Sequence, residues 1–243
     1  MLYEYDYLIS YKTNLILAYM LEPIINLFFP KVCFACSNQL EDNENEVCTI
    51  CRHNLPITNF HFNNDNTMLK VFYGRVKINH ATALLRFEKS GIVQQLIHNL
   101  KYKGYESIGV FLGSWLGEEL KTIQDYNSID IVIPVPLHKN KRKKRGFNQV
   151  DKFAQEIASS LNSDFINDAL IKITNTSSQV NKKRLKRWNS EEVFSLQNKI
   201  SIANKHILLV DDIVTTGATL EACINVLNDA ENVKISIATM AIA

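Results

Sequence analysis

The sequence predicts an α/β protein: a mostly parallel sheet flanked by helices, preceded by a small four-cysteine module. Two observations carry this. From about residue 71 onward, apolar runs of strand length alternate with segments of helical period. Four of the five cysteines fall within residues 33–51, ahead of that alternation. Several of the apolar runs are continuous, as expected for strands covered on both faces. Strands alternating with helices build parallel sheets with helices on both sides.

The expected strands are residues 81–87 (ATALLRF), 129–135 (IDIVIPV), 170–174, 206–210 (HILLV) and 233–238 (VKISIA). Apolar residues recur at helical spacing in 92–102, 110–120, 151–161 and 219–230. Upstream, the chain divides into an apolar helix candidate over 1–31 and a cysteine module with linker over 32–66, followed by the α/β domain over 67–243. The polar stretch 57–67 reads as a linker or extended loop. The most apolar stretch, 15–29, is short for a bilayer span and contains Glu22 and Pro23. A packed helix is favoured there over a membrane-surface anchor, whose polar face is usually rich in Lys and Arg.

Over 243 residues the net charge is only +2, yet residues 41–46 are acidic while 139–145 and 182–187 are basic. Such patches meet anionic partners even when the total is near neutral. The chain start lacks a basic region followed by an apolar one, and the cysteine pattern is not that of a secreted disulfide scaffold. The expectation is a cytoplasmic protein without a transmembrane span, with peripheral attachment at the inner membrane face left open.

The most informative segment is residues 207–219, ILLVDDIVTTGAT. In open α/β sheets, ligands bind beyond the carboxyl ends of strands. Asp211 and Asp212 are expected to leave the end of a strand at Val210. Thr215, Thr216, Gly217, Ala218 and Thr219 then form a turn into a helix. Amides at such a turn, with the helix dipole, make an anion site. Gly217 lets the backbone approach a phosphate, and the threonine hydroxyls add hydrogen bonds. The carboxylates can accept from sugar hydroxyls, so the segment reads as a ribose 5-phosphate cradle. The competing reading, an acidic helix start, explains two adjacent acids and three threonines less well.

A second loop follows the strand ending at Pro134, Val135 and Pro136. Six of the seven residues 139–145 are basic, including Lys141, Arg142, Lys143, Lys144 and Arg145, and Gly-Phe-Asn-Gln leads on to a helix. Lying beside the first loop, it is a candidate diphosphate loop through Pro134, Val135, Pro136 and Arg145; a solvated basic loop is the alternative. Another basic run, residues 174–194, contains Lys183, Arg184, Lys186, Arg187 and Trp188. It reads either as a lid over an anionic substrate or as a surface insertion. With Lys101 and Lys103, these cations suggest a path for single-stranded nucleic acid, Phe147 and Trp188 being candidate stacking platforms.

Cys33, Cys36, Cys48 and Cys51 form two Cys-x2-Cys pairs eleven residues apart. That spacing points to a tetrahedral thiolate site for Zn2+, closed to water and therefore structural. A redox pair would need a thioredoxin-like context that is missing. Cys223 falls on the apolar face of a helix and reads as core filler.

The run LLVDDIVTTGAT resembles the fingerprint of type I phosphoribosyltransferases. The resemblance implies that Asp211 and Asp212 hold the ribose hydroxyls of 5-phosphoribosyl-1-diphosphate (PRPP). It implies that residues 215–219 hold the 5′-phosphate and that Mg2+ accompanies the diphosphate. Purine-salvage members often carry an acid where this chain has Thr215, which points away from a purine acceptor. The order of FPKVCFAC, the cysteine pairs, the KYKG element at 101–104, RGFNQ at 145–149 and VDDIVTTGAT resembles the ComF/GntX family over nearly the whole chain. That resemblance implies a zinc ribbon joined to a type I phosphoribosyltransferase domain. It further implies handling of single-stranded DNA in natural transformation, with a DNA-uptake or helicase partner. A metabolic phosphoribosyltransferase acting on a nitrogen nucleophile is the alternative.

Overall fold

The computed structural model describes residues 28–173, 193–197 and 202–243. Most of the N-terminal apolar stretch lies outside the described residues. So does nearly all of the second basic run, with Lys183, Arg184, Lys186, Arg187 and Trp188. The chain divides into two compact units, one ending at Asn54 and one spanning Leu55–Ala243.

In the first unit an isolated bridge joins Val32 to Gln39. A short helix, α1 (Thr49–His53), is capped by Cys48, whose sulfur accepts the Cys51 N–H.

The second unit begins with two short helices, α2 (Phe60–Asn63) and α3 (Thr67–Lys70), where a linker was expected. The reason is apolar burial: Phe60, Met68 and Phe72 are all at most 2% exposed and belong to the core of the sheet domain. Thr58 ties the segment to the first strand, β1 (Ala81–Arg86), donating its N–H to the Leu84 carbonyl at 3.0 Å and its hydroxyl to the Ala83 carbonyl.

From there the alternation runs as read. Helices α4 (Ile92–Tyr102) and α5 (Ser107–Lys121) lead to β2 (Ile131–Pro134). Next come α6 (Lys139–Arg145), α7 (Asp151–Leu161) and a two-residue strand, β3 (Asp164–Phe165). Strands β4 (Leu170–Lys172) and β5 (Phe194–Leu196) form an antiparallel ribbon. The chain closes with β6 (His206–Val214), α8 (Ala218–Leu227) and β7 (Lys234–Ile242). The main sheet has the order β1-β7-β6-β2-β3, and every pairing in it is parallel.

Three further expectations change. The run at 170–174 does not join the parallel sheet, because its ladder is completed by residues 194–196 instead. The strand at 206 does not stop at Val210. Pairing with β7 continues to Val214 opposite Ile242, so both aspartates lie within β6. The basic residues 139–145 are helical rather than a loop. Lys and Arg are good helix formers. His138 caps the start by accepting the Asn140 N–H, and Gly146 ends the helix at φ 89°.

Helix α5 packs closely on α7 through Gly109, Gly113 and Gly117. A Cβ at Gly113 would lie 2.6 Å from the Phe153 carbonyl oxygen, and one at Gly117 would lie 2.7 Å from Ser160 Oγ. Side chains there would force the helices apart. The topology also locates a crevice. From β2 the chain winds outward to β3, whereas from β6 it winds the opposite way, to β7. The reversal lies between β2 and β6, where loops diverge and ligands enter.

Candidate functional site

The carboxyl ends of β2 and β6 meet at Pro134 opposite Val210, and the Val135 N–H donates to the Val210 carbonyl at 2.8 Å. The two loops singled out in the sequence are therefore neighbours. Asn148 secures the first of them, donating from Nδ2 to the Val135 carbonyl at 3.1 Å and to Asp151 at 2.9 Å. Pro134 and Val135 are buried and Pro136 is half-buried.

Asp211 and Asp212 are both buried near the carboxyl end of β6. Asp212 accepts from Lys101 Nζ at 2.9 Å and from Gln149 Nε2 at 2.6 Å. One residue comes from the KYKG element at the end of α4, the other from RGFNQ after α6. Two motifs far apart in the chain thus converge on one carboxylate. Lys101, one of the residues expected to face an anionic ligand, is paired with this acid. Asp211 accepts the Asp212 N–H at 2.8 Å. Burial, then the charge of Asp212, pushes its carboxyl up to about 8, against the pull of Lys101 and Lys172.

Beyond β6 a small pocket is lined by Asp211 and residues 213–220. Thr215, Thr216, Ala218 and Thr219 are exposed around it, and Gly217 is buried. Gly217 stands at φ 74° as the cap of α8, and a Cβ there would lie 2.7 Å from Phe72 and 3.0 Å from Val71. Glycine is required twice, by the left-handed backbone and by the close approach of the α3 flank. Arg75 holds the turn from outside, donating to the Thr216 carbonyl at 2.7 Å and to the Val71 carbonyl at 3.0 Å while paired with Glu221. Sequence reasoning missed Arg75, since an isolated arginine 141 residues away carries no local signal.

It also missed Lys172. This half-buried lysine lies over the Phe194 ring, with Nζ 5.0 Å from the centroid, and burial followed by the charge of Lys141 lowers its pKa. Of the basic residues predicted to bind anions, Lys103, Lys141, Arg142, Lys143 and Lys144 are exposed. Arg142 lies 3.8 Å from Asp151. Arg145 is half-buried, donates to Gln149 Oε1 and sits 5.8 Å from the Tyr102 ring centroid.

In the first unit, the sulfurs of Cys33, Cys36, Cys48 and Cys51 all lie within 4.8 Å of one another, a set that could hold a metal ion. The Ala35 and Cys48 N–H groups donate to Cys33 Sγ at 3.4 and 3.3 Å. Burial opposes the Cys33 thiolate, but these backbone donors prevail and bring its pKa down to about 7. Burial raises that of Cys51. Four clustered sulfurs with amide donors around one of them suit a soft or borderline cation. Cys223 is fully buried, as core filler should be.

Fold and site together define a phosphoribosyl transferase-type domain joined to a four-cysteine module. Residues 150–242 match the family described as Phosphoribosyl transferase domain. The chain has homologues among competence proteins of the ComF type. It is 27% identical over 196 residues to Competence protein ComFC of Bacillus subtilis, covering 78% of this chain and 75% of that one. It is 31% identical over 129 residues to DNA utilization protein YhgH of Escherichia coli O157:H7, covering 51% of this chain and 56% of that one. Among solved structures, a hypoxanthine phosphoribosyltransferase from Staphylococcus aureus aligns at 19% identity and a TM-score of 0.34, over 55% of this chain and 62% of that one.

Proposed function

We propose that this chain binds PRPP together with Mg2+ in the crevice between β2 and β6, binds single-stranded DNA, and supports DNA uptake. The observation that carries the PRPP reading is the convergence at the β6 end. Asp211, Asp212 and the turn at 215–219 adjoin the loop at 134–136, and motif residues from α4 and RGFNQ are aimed at Asp212. In this reading the ribose diol meets the carboxylates and the 5′-phosphate meets the amides and hydroxyls of Thr215, Thr216 and Thr219. Mg2+ suits a crevice with two adjacent carboxylates and would offset diphosphate charge there.

The DNA-uptake role rests on the printed names of the relatives, a competence protein and a DNA utilization protein, and on the exposed cations of α6. Zn2+ is the metal proposed for Cys33, Cys36, Cys48 and Cys51, as a structural ion. The test of the cradle is thermal stability with PRPP and Mg2+. The native chain is expected to melt higher with ligand, and the Asp211→Asn, Asp212→Asn double variant is expected to lose most of the gain. An equal gain in the variant would overturn the cradle. Diphosphate release from PRPP, measured with and without single-stranded DNA, separates pure binding from transfer to an acceptor.

A further inference from the structure

Three flat groups lie close together, His98 and Tyr102 on α4 and Arg145 at the end of α6. His98 and Tyr102, one helical turn apart on α4, have ring centroids 5.0 Å apart. The Arg145 guanidinium lies over the Tyr102 ring, 5.8 Å from its centroid. Both rings face solvent, Tyr102 with 72% of its surface exposed.

Arg145 is fixed in place. It donates to Gln149 Oε1, and Gln149 in turn donates to Asp212 at 2.6 Å. Tyr102 directly follows Lys101, which reaches Asp212 from the same side. The flat row is therefore connected to the candidate ribose cradle through two short routes that end on the same carboxylate. Lys103, next to Tyr102 in the chain, and Lys141, Lys143 and Lys144, on the same helix as Arg145, are exposed.

We propose that His98, Tyr102 and Arg145 form a base-stacking platform for single-stranded DNA, with the strand's phosphates running over α6. The proposal rests on the DNA-binding reading given above and names the surface that would carry it. A planar base gains from an exposed ring and an adjacent guanidinium. A polymer is favoured over a free nucleotide by the reach of the charge. Seven helical residues extend over about 10 Å, more than one phosphate can answer. The sequence pointed to Phe147 and Trp188 as platforms. Phe147 is half-buried, and Trp188 lies outside the described residues.

The experiment compares the native chain with Tyr102→Ala and Tyr102→Phe, using fluorescent single-stranded oligonucleotides of mixed sequence and abasic oligonucleotides of the same length. The platform predicts that Tyr102→Ala weakens binding to the normal strand roughly 5- to 100-fold, the range of stacking on one side chain. Tyr102→Phe should bind like the native chain. The abasic strand should bind the native chain more weakly than the normal strand does, and Tyr102→Ala should narrow that difference. If the native chain binds DNA and Tyr102→Ala binds it equally well, the platform is wrong and the DNA reading stands. If the native chain binds no DNA even at low salt, both fail. If a nucleoside monophosphate at equal concentration displaces the strand, the occupant is a mononucleotide and the polymer assignment is overturned. Tyr102 is exposed, so loss of fold does not confound the comparison.

Discussion

Asp211 and Asp212 are adjacent in the chain and both buried, yet their partners differ. Asp212 is held by a lysine and a glutamine, whereas Asp211 accepts the Asp212 N–H and its carboxyl is raised to about 8 by burial and then by the charge of Asp212. A carboxyl raised on folding retains its proton more readily in the native state. Its contribution is greatest below about pH 4, where both states are protonated, and declines as pH climbs toward 8. Stability measured by urea denaturation should therefore fall between pH 5 and pH 8.5. Asp211→Asn should flatten that fall, and an unchanged slope in the variant would contradict the burial argument. The local sequence revealed that the two acids matter. It did not reveal that the Asp211 carboxyl would be raised, because the burial responsible comes from elements scattered along the chain.

Among the helices, the pairing of α5 with α7 depends on the absence of side chains. Gly113→Ala would place a Cβ 2.6 Å from the Phe153 carbonyl oxygen, against backbone that cannot swing aside. Overpacking of this kind costs about 1–3 kcal/mol, and an unfolding free energy lowered by that amount in a denaturant titration, with a lower midpoint, is the expected outcome. The periodicity of residues 110–120 identified the helix, but the i, i+4 glycines acquired meaning only once a second helix lay across them. Helix α6 shows the converse. Its residues are strong helix formers, yet without apolar periodicity the run read as a loop. Its caps, His138 and Gly146, were legible in principle. Its charges give a further expectation. Each α6 lysine that contacts a phosphate should steepen the salt dependence of single-strand binding by about 0.7 in logarithmic slope. Lys143→Ala with Lys144→Ala should lower the slope accordingly in a salt titration, and an unchanged slope would remove these two lysines from the DNA path.

For the molecule as a whole, the chain forms two compact units, and the four clustered cysteines lie in the first. Four sulfurs within 4.8 Å of each other fit one metal ion per chain. Elemental analysis should find about one zinc per chain. Chelation should release it and lower the thermal stability of the first unit, and a native chain that folds fully without metal would count against a structural site. Among the described residues no helix is long and apolar enough to cross a membrane. The sequence by itself determined the class of the sheet domain and picked out the four clustered cysteines and the turn after β6, because each is written in short-range spacing: strand and helix periods, Cys-x2-Cys pairs, and a strand followed by DDIVTTGAT. The tertiary structure alone decided that β6 runs on through both aspartates, that the stretch before β1 packs into the core, and that the KYKG and RGFNQ elements close on Asp212. Each of these depends on partners tens of residues away, which β pairing, core burial and ion pairing select only once the sheet has assembled.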